Sequence, residues 1–308
     1  MMSHEPRVDA PAVAGAASPR VPFSFEIYPP RTPEQLPALY ETIRVLAAAG
    51  PRFISVTFGA GGSTTDRSLT VLTHILRETT VPPVRDFLDA GITRFLALRG
   101  DPPAGVGEDD IVVGDLESAA QLVQLIGRVQ AERSPYRERE IPGLPGAVQV
   151  TDGDRVEIAV AAFPNGHPRS RHRYEDIDAL LAKQAAGATS ALTQLFFHAD
   201  EYLGFVDRAR AAGVVIPIVP GIMPITSPGR LRRVLELTGD ARPDSLAAAL
   251  ESAPDAAAQR AVGLAHAADL ARSVVAGGAD GIHLYAFNNH DTVLGVLRAA
   301  ELIPEASP

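Results

Sequence analysis

The chain reads Ile158-Ala-Val-Ala-Ala-Phe163, then a stretch with helical spacing over residues 174–186, and then Ala191-Leu-Thr-Gln-Leu-Phe-Phe197. Short apolar runs joined by a single helix are typical of parallel strands that are buried on both faces. This unit therefore predicts an α/β protein, and the number of its repeats decides which α/β fold to expect.

The same alternation extends along most of the 308 residues. Five more strands are predicted at residues 23–28, 53–58, 95–100, 216–220 and 281–287, with further helices at 34–49, 68–79, 115–132, 200–212, 228–237, 255–276 and 292–300. Seven strands, close to eight, favour a (β/α)₈ TIM barrel. A doubly wound dinucleotide-binding sheet is disfavoured because no Gly-x-Gly-x-x-Gly segment follows the first strand.

Two segments interrupt this alternation. A third strand is expected after the helix at 68–79, but the chain there reads Val81-Pro-Pro-Val84 and enters a predicted helix at 84–90. Because proline cannot donate a ladder hydrogen bond, the barrel is predicted to lack or truncate its third strand. Residues 133–155 are rich in proline, glycine and charge, which predicts an inserted surface loop or hairpin.

The length fits one domain, since a (β/α)₈ barrel takes about 250 residues. Residues 1–22 show no clear period and are predicted to form a mobile N-terminal tail. Residues 23–303 are predicted to form a single TIM-barrel catalytic domain that carries the loop insertion at 133–155.

Composition argues against several classes of function. The formal net charge of −9 disfavours nucleic-acid binding, which needs a basic surface. The absence of cysteine excludes disulfides, thiolate metal sites and cysteine nucleophiles. No apolar run approaches the roughly 18 residues of a membrane helix, and no basic-then-apolar leader opens the sequence. We therefore expect a cytoplasmic protein that does not contact a membrane.

Polar residues in or just after the apolar strands mark the expected site, because barrel chemistry lies at the carboxyl ends of strands. Glu26 is interpreted either as a general acid whose pKa is raised by burial or as a structural salt-bridge partner. Arg99 and Asp101 offer a guanidinium and a carboxylate to a ligand, or form a structural ion pair. Gln194 either reads the edge of a heterocycle or is a satisfied core amide.

Further candidates also leave alternatives open. Thr57 precedes a glycine-rich loop that suits either an anion or flat ring, or a plain tight turn. His167 is either a loop residue or a ligand contact, whereas His283 is interpreted as core. Asn289 follows the last strand and can contact a ligand, and Arg230 belongs to a basic run that is either solvated or meets an anionic ligand tail. No cluster of His, Asp and Glu has metal-ligand spacing.

Seven segments together resemble the methylenetetrahydrofolate reductase family. They occur in the family's order from about residue 22 to residue 300, which makes the set specific although each segment alone is weak. The segments are Phe23-Ser-Phe-Glu-Ile-Tyr-Pro-Pro-Arg-Thr32, Ser55-Val-Thr-Phe-Gly-Ala-Gly-Gly62, Ala97-Leu-Arg-Gly-Asp-Pro102, Val160-Ala-Ala-Phe-Pro164 with His167-Pro168, residues 191–197, Pro220-Gly-Ile-Met-Pro224 and His283-Leu-Tyr-Ala-Phe-Asn288.

The resemblance implies a barrel that reduces 5,10-methylenetetrahydrofolate to 5-methyltetrahydrofolate in one-carbon metabolism and methionine synthesis. Hydride comes from NADH or NADPH, normally through FAD. The resemblance further implies that Glu26 is the acid that opens the folate ring, that Asp101 is the carboxylate beside flavin and pterin, and that Gln194 reads the pterin. The flavin contacts it implies are Thr57, Leu98, Arg99, Gly100, His167, Asp176 and Lys183. Asn289 and Arg230 are kept as further candidates for binding the folate, polyglutamylated or not.

Several positions depart from the family pattern. The family's third strand has no counterpart, three flavin contacts appear as Val112, Ala179 and Ala182, the nicotinamide-stacking aromatic appears as Val234, and a frequent arginine appears as Asn289. Losing several contacts worth about 1–2 kcal/mol each predicts weak or absent FAD. Three alternatives follow: an FAD-dependent reductase, a flavin-free reductase with direct hydride transfer to folate, and a catalytically silent folate- or flavin-binding barrel. The oligomeric state stays open, with a homo-oligomer as one alternative.

Overall fold

The computed structural model describes residues 21–30, 32–56, 83–84, 94–98, 118–133, 137–140, 148–151, 156–168 and 170–304. The candidate residues outside these ranges are Thr57, Arg99, Gly100, Asp101 and Val112. Residues 1–20 of the predicted tail and the predicted helix at 68–79 also lie outside them.

Within the described ranges, two parallel sheets hold nine strand segments. The first sheet has the order β10 (Gly221–Ile222), β11 (Ile282–Tyr285), β1 (Phe23–Ile27), β2 (Ile54–Val56) and β3 (Pro83–Val84). The second has the order β4 (Arg94–Ala97), β7 (Glu157–Ala162), β8 (Ser190–Thr193) and β9 (Ile218–Val219). The predicted parallel α/β class is therefore confirmed.

One stretch of chain belongs to both sheets. Only Pro220 separates β9, which pairs with β8, from β10, which pairs with β11. The backbones of β3 and β4 also lie close together, although no described strand pairing joins them. The sheets are thus joined through Pro220 and approach each other again at β3 and β4, and within each parallel sheet the carboxyl ends of the strands lie at the same edge. Closure into a complete barrel stays a prediction.

The third strand corrects part of the sequence analysis. Pro83 and Val84 form β3, in register with Ile54 and Ser55 of β2. A strand is therefore present here, and Val84 belongs to it rather than to a helix. Proline is compatible with β3 because, among the described strands, β3 pairs with β2 alone, and an edge strand can lack a ladder N–H. The chain on either side of β3 lies outside the described ranges, so the predicted truncation stays a prediction.

The helices follow the predicted pattern closely. One helix was not predicted, because alanines obscure the apolar face that Leu246, Ala247 and Leu250 bury. The bounds are α1 (Leu36–Ala48, after a 3₁₀ turn at Pro33–Gln35), α2 (Ala119–Arg133), α3 (Arg173–Ala185), α4 (Ala199–Ala211), α5 (Pro228–Thr238), the unpredicted α6 (Asp244–Ser252), α7 (Ala256–Ala276) and α8 (His290–Ala299). No helix in the described ranges is both long and apolar enough to cross a lipid bilayer.

The inserted segment contains a hairpin. β5 (Arg137–Glu140) and β6 (Val148–Thr151) pair antiparallel, with Arg137 opposite Thr151. They form a separate two-stranded sheet, which is the hairpin alternative of the sequence analysis. The proposed domain bounds stay a prediction.

Two apolar clusters support the strand ends. The larger one joins both sheets to the helices around them, and Phe25, Ile43 and Leu284 are among its fully buried members. The smaller one lies where α5 and α6 approach the segment after β8, and it includes Leu195 and Val234. Both clusters hold the segments that carry the candidate polar residues.

Candidate active site

The best-defined part of the site is a carboxylate beside a buried imidazole. Glu26 lies in β1 with its side chain 14% exposed, and its Oε2 is 3.6 Å from Nε2 of the fully buried His283 in β11. The other ring nitrogen, Nδ1, lies 2.8 Å from Ser24 Oγ. The parallel register places Ser24 opposite His283 and Glu26 opposite Tyr285. Strand pairing therefore makes His283 part of the site as well as part of the core.

A pair of hydrogen bonds connects the ends of the two sheets. The Tyr285 hydroxyl donates to the Thr193 carbonyl at 3.0 Å, and the Gly221 amide donates to Thr193 Oγ1 at 2.8 Å. Thr193 is fully buried at the end of β8. We use the word rim for the carboxyl ends of the strands and the residues that directly follow them. Tyr285 lies opposite Glu26, and Gln194 follows Thr193, so these bonds bring Glu26 and Gln194 to the same region of the rim.

Gly221 has to be a glycine at this junction. A Cβ added there would lie 2.2 Å from the Thr193 carbonyl and 3.0 Å from the Tyr285 hydroxyl. The two strands approach each other too closely for any side chain.

Aromatic side chains surround the Glu26 end of the rim. The Tyr28 ring stacks on Phe287 with 5.4 Å between centroids. Burial raises the pKa of Tyr28, and the Glu26 carboxylate raises it further, whereas Arg230 lowers it. Burial likewise raises the pKa of Tyr285, with Glu26 and Tyr28 adding to the effect. Both tyrosines are therefore neutral hydrogen-bonding groups at physiological pH.

Gln194 lies in a shallow depression at the end of β8. Its backbone N–H donates to Ala162 at 2.8 Å, and its side-chain Oε1 accepts from the Leu195 N–H at 2.9 Å. The depression is also lined by residues from the loop after β7, the segment after β8 and the end of α5, namely Phe163, Pro164, Asn165, Gly166, Pro168, Leu195, Thr238 and Asp240. The side-chain NH₂ of Gln194 is thus the group left to donate to a ligand.

Three of the implied flavin contacts form a connected group beside β7. Asp176 Oδ1 accepts from the His167 N–H at 3.1 Å and from the Ser170 hydroxyl at 2.9 Å. Lys183 Nζ donates to the Ala161 carbonyl at 2.8 Å, and the His167 ring meets Phe163 edge-on at 4.8 Å. Burial lowers the pKa of Lys183, and Asp176 opposes that shift. Each of these side chains already has an internal contact.

The remaining implied positions differ in exposure. Leu98 is 48% exposed directly after β4, where a ring can lie on it. Ala179 and Ala182 are exposed on α3, whereas Val234 is buried in the smaller apolar cluster. Val234 is therefore not placed to stack on a nicotinamide ring.

The two additional binding candidates have different surroundings. The Asn289 side chain caps α8, because its Oδ1 accepts from the Thr292 N–H at 3.1 Å. Its predicted ligand contact would have to compete with this cap. Arg230 begins α5, with its guanidinium carbon 4.5 Å from the centroid of the Phe287 ring. In the part of the chain that the structure describes, no group of acidic and histidine side chains can hold a metal ion.

Several residues of this rim were missed by sequence reasoning. Ser24, Tyr28, Thr193 and Phe287 received no role, although the polar Ser24 and Thr193 interrupt apolar strands. A polar residue in a strand buried on both faces needs a partner, and that rule was available from the sequence. The identity of that partner could not be predicted from the sequence, because strand pairing joins segments that are distant along the chain.

Comparison with known proteins identifies the family. A model of methylenetetrahydrofolate reductase matches residues 14–87 and 82–301. The chain belongs to the methylenetetrahydrofolate reductase family. The two matched stretches of the family model overlap at residues 82–87, where β3 lies.

Relatives in this family come from plants and bacteria. The chain is 34% identical to the probable methylenetetrahydrofolate reductase (NADH) of Oryza sativa subsp. japonica, over 94% of this chain and 50% of that protein. It is 29% identical to the 5,10-methylenetetrahydrofolate reductase of Salmonella typhimurium, over 87% of each. The chain therefore spans about half the length of the plant relatives and most of the length of the bacterial one.

A solved structure shares the fold. It is an uncharacterized protein from Clostridium thermocellum, described as binding two copies of 5-methyl-5,6,7,8-tetrahydrofolic acid. It superposes with a TM-score of 0.53 at 12% identity, over 91% of this chain and 94% of that one. This likeness supports the parallel α/β fold of this chain.

Proposed function

We propose that this chain reduces 5,10-methylenetetrahydrofolate to 5-methyltetrahydrofolate with hydride from NADH or NADPH. The observation that carries the proposal is the Glu26 carboxylate, 3.6 Å from the His283 imidazole at the strand ends of a member of this family. Reduction of this substrate needs one acid and one hydride, and the rim supplies the acid.

Glu26 acts as the general acid. Its protonated carboxyl gives a proton to the folate nitrogen as the carbon–nitrogen bond to the methylene group breaks, which leaves an iminium at the other nitrogen. A hydride that originates from the reduced nicotinamide, directly or through a flavin, then reduces the iminium carbon to a methyl group. Acid catalysis of this kind contributes about 10²- to 10⁴-fold in rate.

Other residues bind and orient the substrate. Gln194 donates its amide NH₂ to the pterin edge from the depression at the end of β8. Asp101 is proposed as the second carboxylate that holds the pterin, and the resemblance to the family is its support. Oriented hydrogen bonds of this type fix the folate with its reactive ring facing Glu26.

The described residues fit a flavin poorly. Asp176 Oδ1 and Lys183 Nζ bind the protein's own groups, whereas the buried Asp176 Oδ2 has no hydrogen-bond partner among the described residues. Ala179 and Ala182 present only methyl groups on the exposed face of α3. A flavin diphosphate needs several donors, and Lys183, the one cation among the implied flavin contacts that the structure describes, already donates to the Ala161 carbonyl. No step of the proposed reaction is therefore assigned to flavin.

A second candidate function follows from this poor fit, namely direct hydride transfer from NADH to the folate iminium. The exposed Ala179 and Ala182 favour it. Purified protein is expected to show no stoichiometric absorbance band near 450 nm and to oxidise NADH when methylenetetrahydrofolate is added without flavin. A stoichiometric yellow band, or turnover that depends on added FAD, would contradict the flavin-free route and leave the folate reductase intact.

The main proposal is tested by following NADH and NADPH oxidation with methylenetetrahydrofolate, with and without FAD. Formation of 5-methyltetrahydrofolate in equal amount supports it. No turnover with micromolar protein under any of these conditions would instead favour a catalytically silent folate- or flavin-binding protein. Glu41→Gln serves as the matched control variant, since Glu41 is an exposed carboxylate on α1 that pairs with Arg44.

The remaining expectations about architecture are part of the same proposal. A closed barrel over residues 23–303, operating in the cytoplasm as a monomer or homo-oligomer, suits a metabolic reductase. The two edges at which the sheets approach each other support the closed barrel.

A further inference from the structure

His283 is a fully buried histidine that the proposed proton and hydride transfers do not use. Its ring packs against two aromatic side chains. The Phe53 ring stacks on it with 6.0 Å between centroids and 26° between planes, and the Tyr285 ring meets it edge-on at 5.3 Å. These two contacts restrict the orientation of the imidazole, so the direction in which each nitrogen points is set by the fold.

The two ring nitrogens of His283 face different side chains of β1. Nδ1 lies 2.8 Å from Ser24 Oγ, within hydrogen-bond distance. Nε2 lies 3.6 Å from Glu26 Oε2 and has no hydrogen-bond partner among the described residues. The parallel register explains this arrangement, because Ser24 lies directly opposite His283 and Glu26 follows two residues later on the same face of β1. The imidazole thus connects a hydroxyl to the carboxylate of the proposed acid.

The contacts at the two nitrogens depend on each other, because a neutral imidazole carries its proton on only one of them. If the Ser24 hydroxyl donates to Nδ1, the ring proton is on Nε2 and is directed towards Glu26. If the proton is on Nδ1 instead, the lone pair of Nε2 faces a carboxylate oxygen, and two electron-rich atoms oppose each other in a buried environment. The negative charge of Glu26 therefore favours the tautomer with the proton on Nε2.

His283 can act on a substrate only through Glu26. The Glu26 side chain is 14% exposed and can be reached, whereas the His283 side chain is fully enclosed. At 3.6 Å the contact between Nε2 and Oε2 is longer than a hydrogen bond. Catalytic hydrogen bonds often shorten to about 2.6–3.2 Å when the substrate binds, so this contact is in reach of one.

We propose that His283 is a positioning residue for the Glu26 acid and that Ser24 sets its tautomer. The Nε2–H donates to Oε2 and thereby makes Oε2 the oxygen that does not carry the transferable proton. Oε1 carries that proton and gives it to the folate nitrogen, while the electron pair of the broken O–H bond stays on the carboxylate. The same Nε2–H then stabilises the carboxylate. This role rests on the proposed function, whereas the tautomer can be measured without turnover.

The kinetic test uses two substitutions that separate the nitrogens of His283. The amide of His283→Asn extends only as far as Nδ1, whereas the longer amide of His283→Gln extends as far as Nε2 and keeps a donor for Glu26. Ser24→Ala removes the group that sets the tautomer. The control is His266→Gln, since His266 on α7 is also partly buried but its Nε2 contacts the Phe197 carbonyl, at 3.0 Å, rather than a carboxylate. Circular dichroism melts check the folding of each variant.

The expected losses appear in kcat rather than in KM. His283→Asn should lower kcat about ten- to 100-fold and leave the KM for methylenetetrahydrofolate within about threefold, as when a hydrogen bond to a charged group is lost in the transition state. His283→Gln should regain at least about half of that loss on a logarithmic scale. Ser24→Ala should lower kcat less than His283→Asn, and His266→Gln should match the wild type.

The tautomer is measured directly by long-range ¹H–¹⁵N NMR spectra of protein that is labelled with ¹⁵N-histidine. The His283 signals are assigned by their absence from the spectrum of His283→Gln. We expect the wild type at neutral pH to show a protonated Nε2 and an unprotonated Nδ1. In Ser24→Ala the two nitrogen shifts should move towards each other, because Nδ1 has lost its donor and the preference for one tautomer weakens.

Three results would overturn the inference. A proton on Nδ1 in the wild type would mean that Nε2 accepts from Glu26 and draws the proton away from the substrate. Equal losses in His283→Asn and His283→Gln, or losses confined to KM, would mean that His283 only fills the core. Near-wild-type kcat in His283→Asn would remove it from the mechanism.

The outcomes for the inference and for the proposed function can be told apart. Wild-type protein with a proton on Nε2 but without any NADH oxidation would refute the proposed function and confirm the tautomer. If His283→Asn does not fold, the wild-type spectrum and the kcat of Ser24→Ala still decide: a proton on Nδ1, or an unchanged kcat in Ser24→Ala, would count against the positioning role.

Discussion

The rim at β1 and β11 and the rim beside β7 are built in different ways. At the first, Glu26, Ser24 and His283 lie on paired strands, so the register of the sheet sets their separation. At the second, the Asp176 carboxylate lies on helix α3 and accepts hydrogen bonds from the loop residues His167 and Ser170. One geometry depends on the sheet, and the other on a local loop.

This difference matches the proposed role of Glu26 as a reacting group and the structural role of Asp176 in its loop. A group that transfers a proton has to be held within a fraction of an ångström, and paired strands provide such rigidity. A carboxylate that organises a loop tolerates small movements, because the loop moves with it. We therefore expect substitutions at the first rim to reduce the rate and substitutions at the second to alter stability and local order.

The largest effect is expected for Glu26→Gln. The amide keeps the shape of the side chain but cannot act as an acid at neutral pH, so kcat should fall by about 10²- to 10⁴-fold. Steady-state kinetics measures the loss, with Glu41→Gln as the control and circular dichroism as the check on folding. Near-wild-type turnover of Glu26→Gln would remove Glu26 from the mechanism.

The next effect concerns the junction between the sheets. Thr193→Val removes the oxygen that accepts from the buried Gly221 N–H. An unsatisfied buried donor costs about 1–3 kcal/mol, so the free energy of unfolding should fall by that amount in urea denaturation. The control is Thr238→Val at the end of α5, where the hydroxyl accepts from the Asp240 N–H in a less buried position. Equal losses in the two variants would show that the junction has no special importance.

A smaller effect is expected for Asp176→Asn at the second rim. The neutral amide oxygen accepts more weakly from the His167 N–H and the Ser170 hydroxyl, at a cost of about 1 kcal/mol. Amide hydrogen exchange at His167 should become faster, while kcat changes far less than in Glu26→Gln. A loss of kcat comparable to that of Glu26→Gln would contradict the separation between the two rims.

The last effect appears only in alkaline solution and involves neither rim. Burial raises the pKa of Tyr202 from 10.0 to about 12, with Asp280 adding to the shift, and its hydroxyl donates to the Ile218 carbonyl at 2.7 Å. Because the pKa is higher in the folded state, this contribution to stability is complete below pH 10 and is lost as the pH rises towards 12.

Urea titrations between pH 9 and pH 11.5 measure this loss. Tyr28 and Tyr285 also have raised pKa values and contribute in the same direction. Tyr202→Phe should therefore reduce the alkaline decrease in stability without abolishing it. An identical decrease in the variant and the wild type would exclude Tyr202 as a source.

The strands and helices were predictable where local patterns suffice. Apolar runs at residues 158–163 and 191–197 marked β7 and β8, although β8 ends at Thr193, earlier than the apolar run. The positions of Glu26 and Gln194 at the rim followed from the rule that parallel strands end on one side. Helix α6 was missed because alanine is weakly apolar and carries no clear period.

The partners of these residues were not predictable. Ser24 and His283 are 259 positions apart, and Thr193 and Tyr285 are 92 apart. Hydrophobic periodicity assigns each of them to a strand but does not give the register between strands. The contact of Arg230 with Phe287 depends in addition on how α5 crosses the rim, which no local pattern encodes.

The pairing of β1 with β11 has a consequence for the synthesis of the protein. Strands β4, β7, β8 and β9 pair in the order in which they leave the ribosome, so the second sheet can assemble during translation. Glu26 emerges early, yet its neighbours His283 and Tyr285 are translated more than 250 codons later. A nascent chain that ends before β11 therefore carries Glu26 without His283 and Tyr285, so the proposed site can form only after β11 has been synthesised.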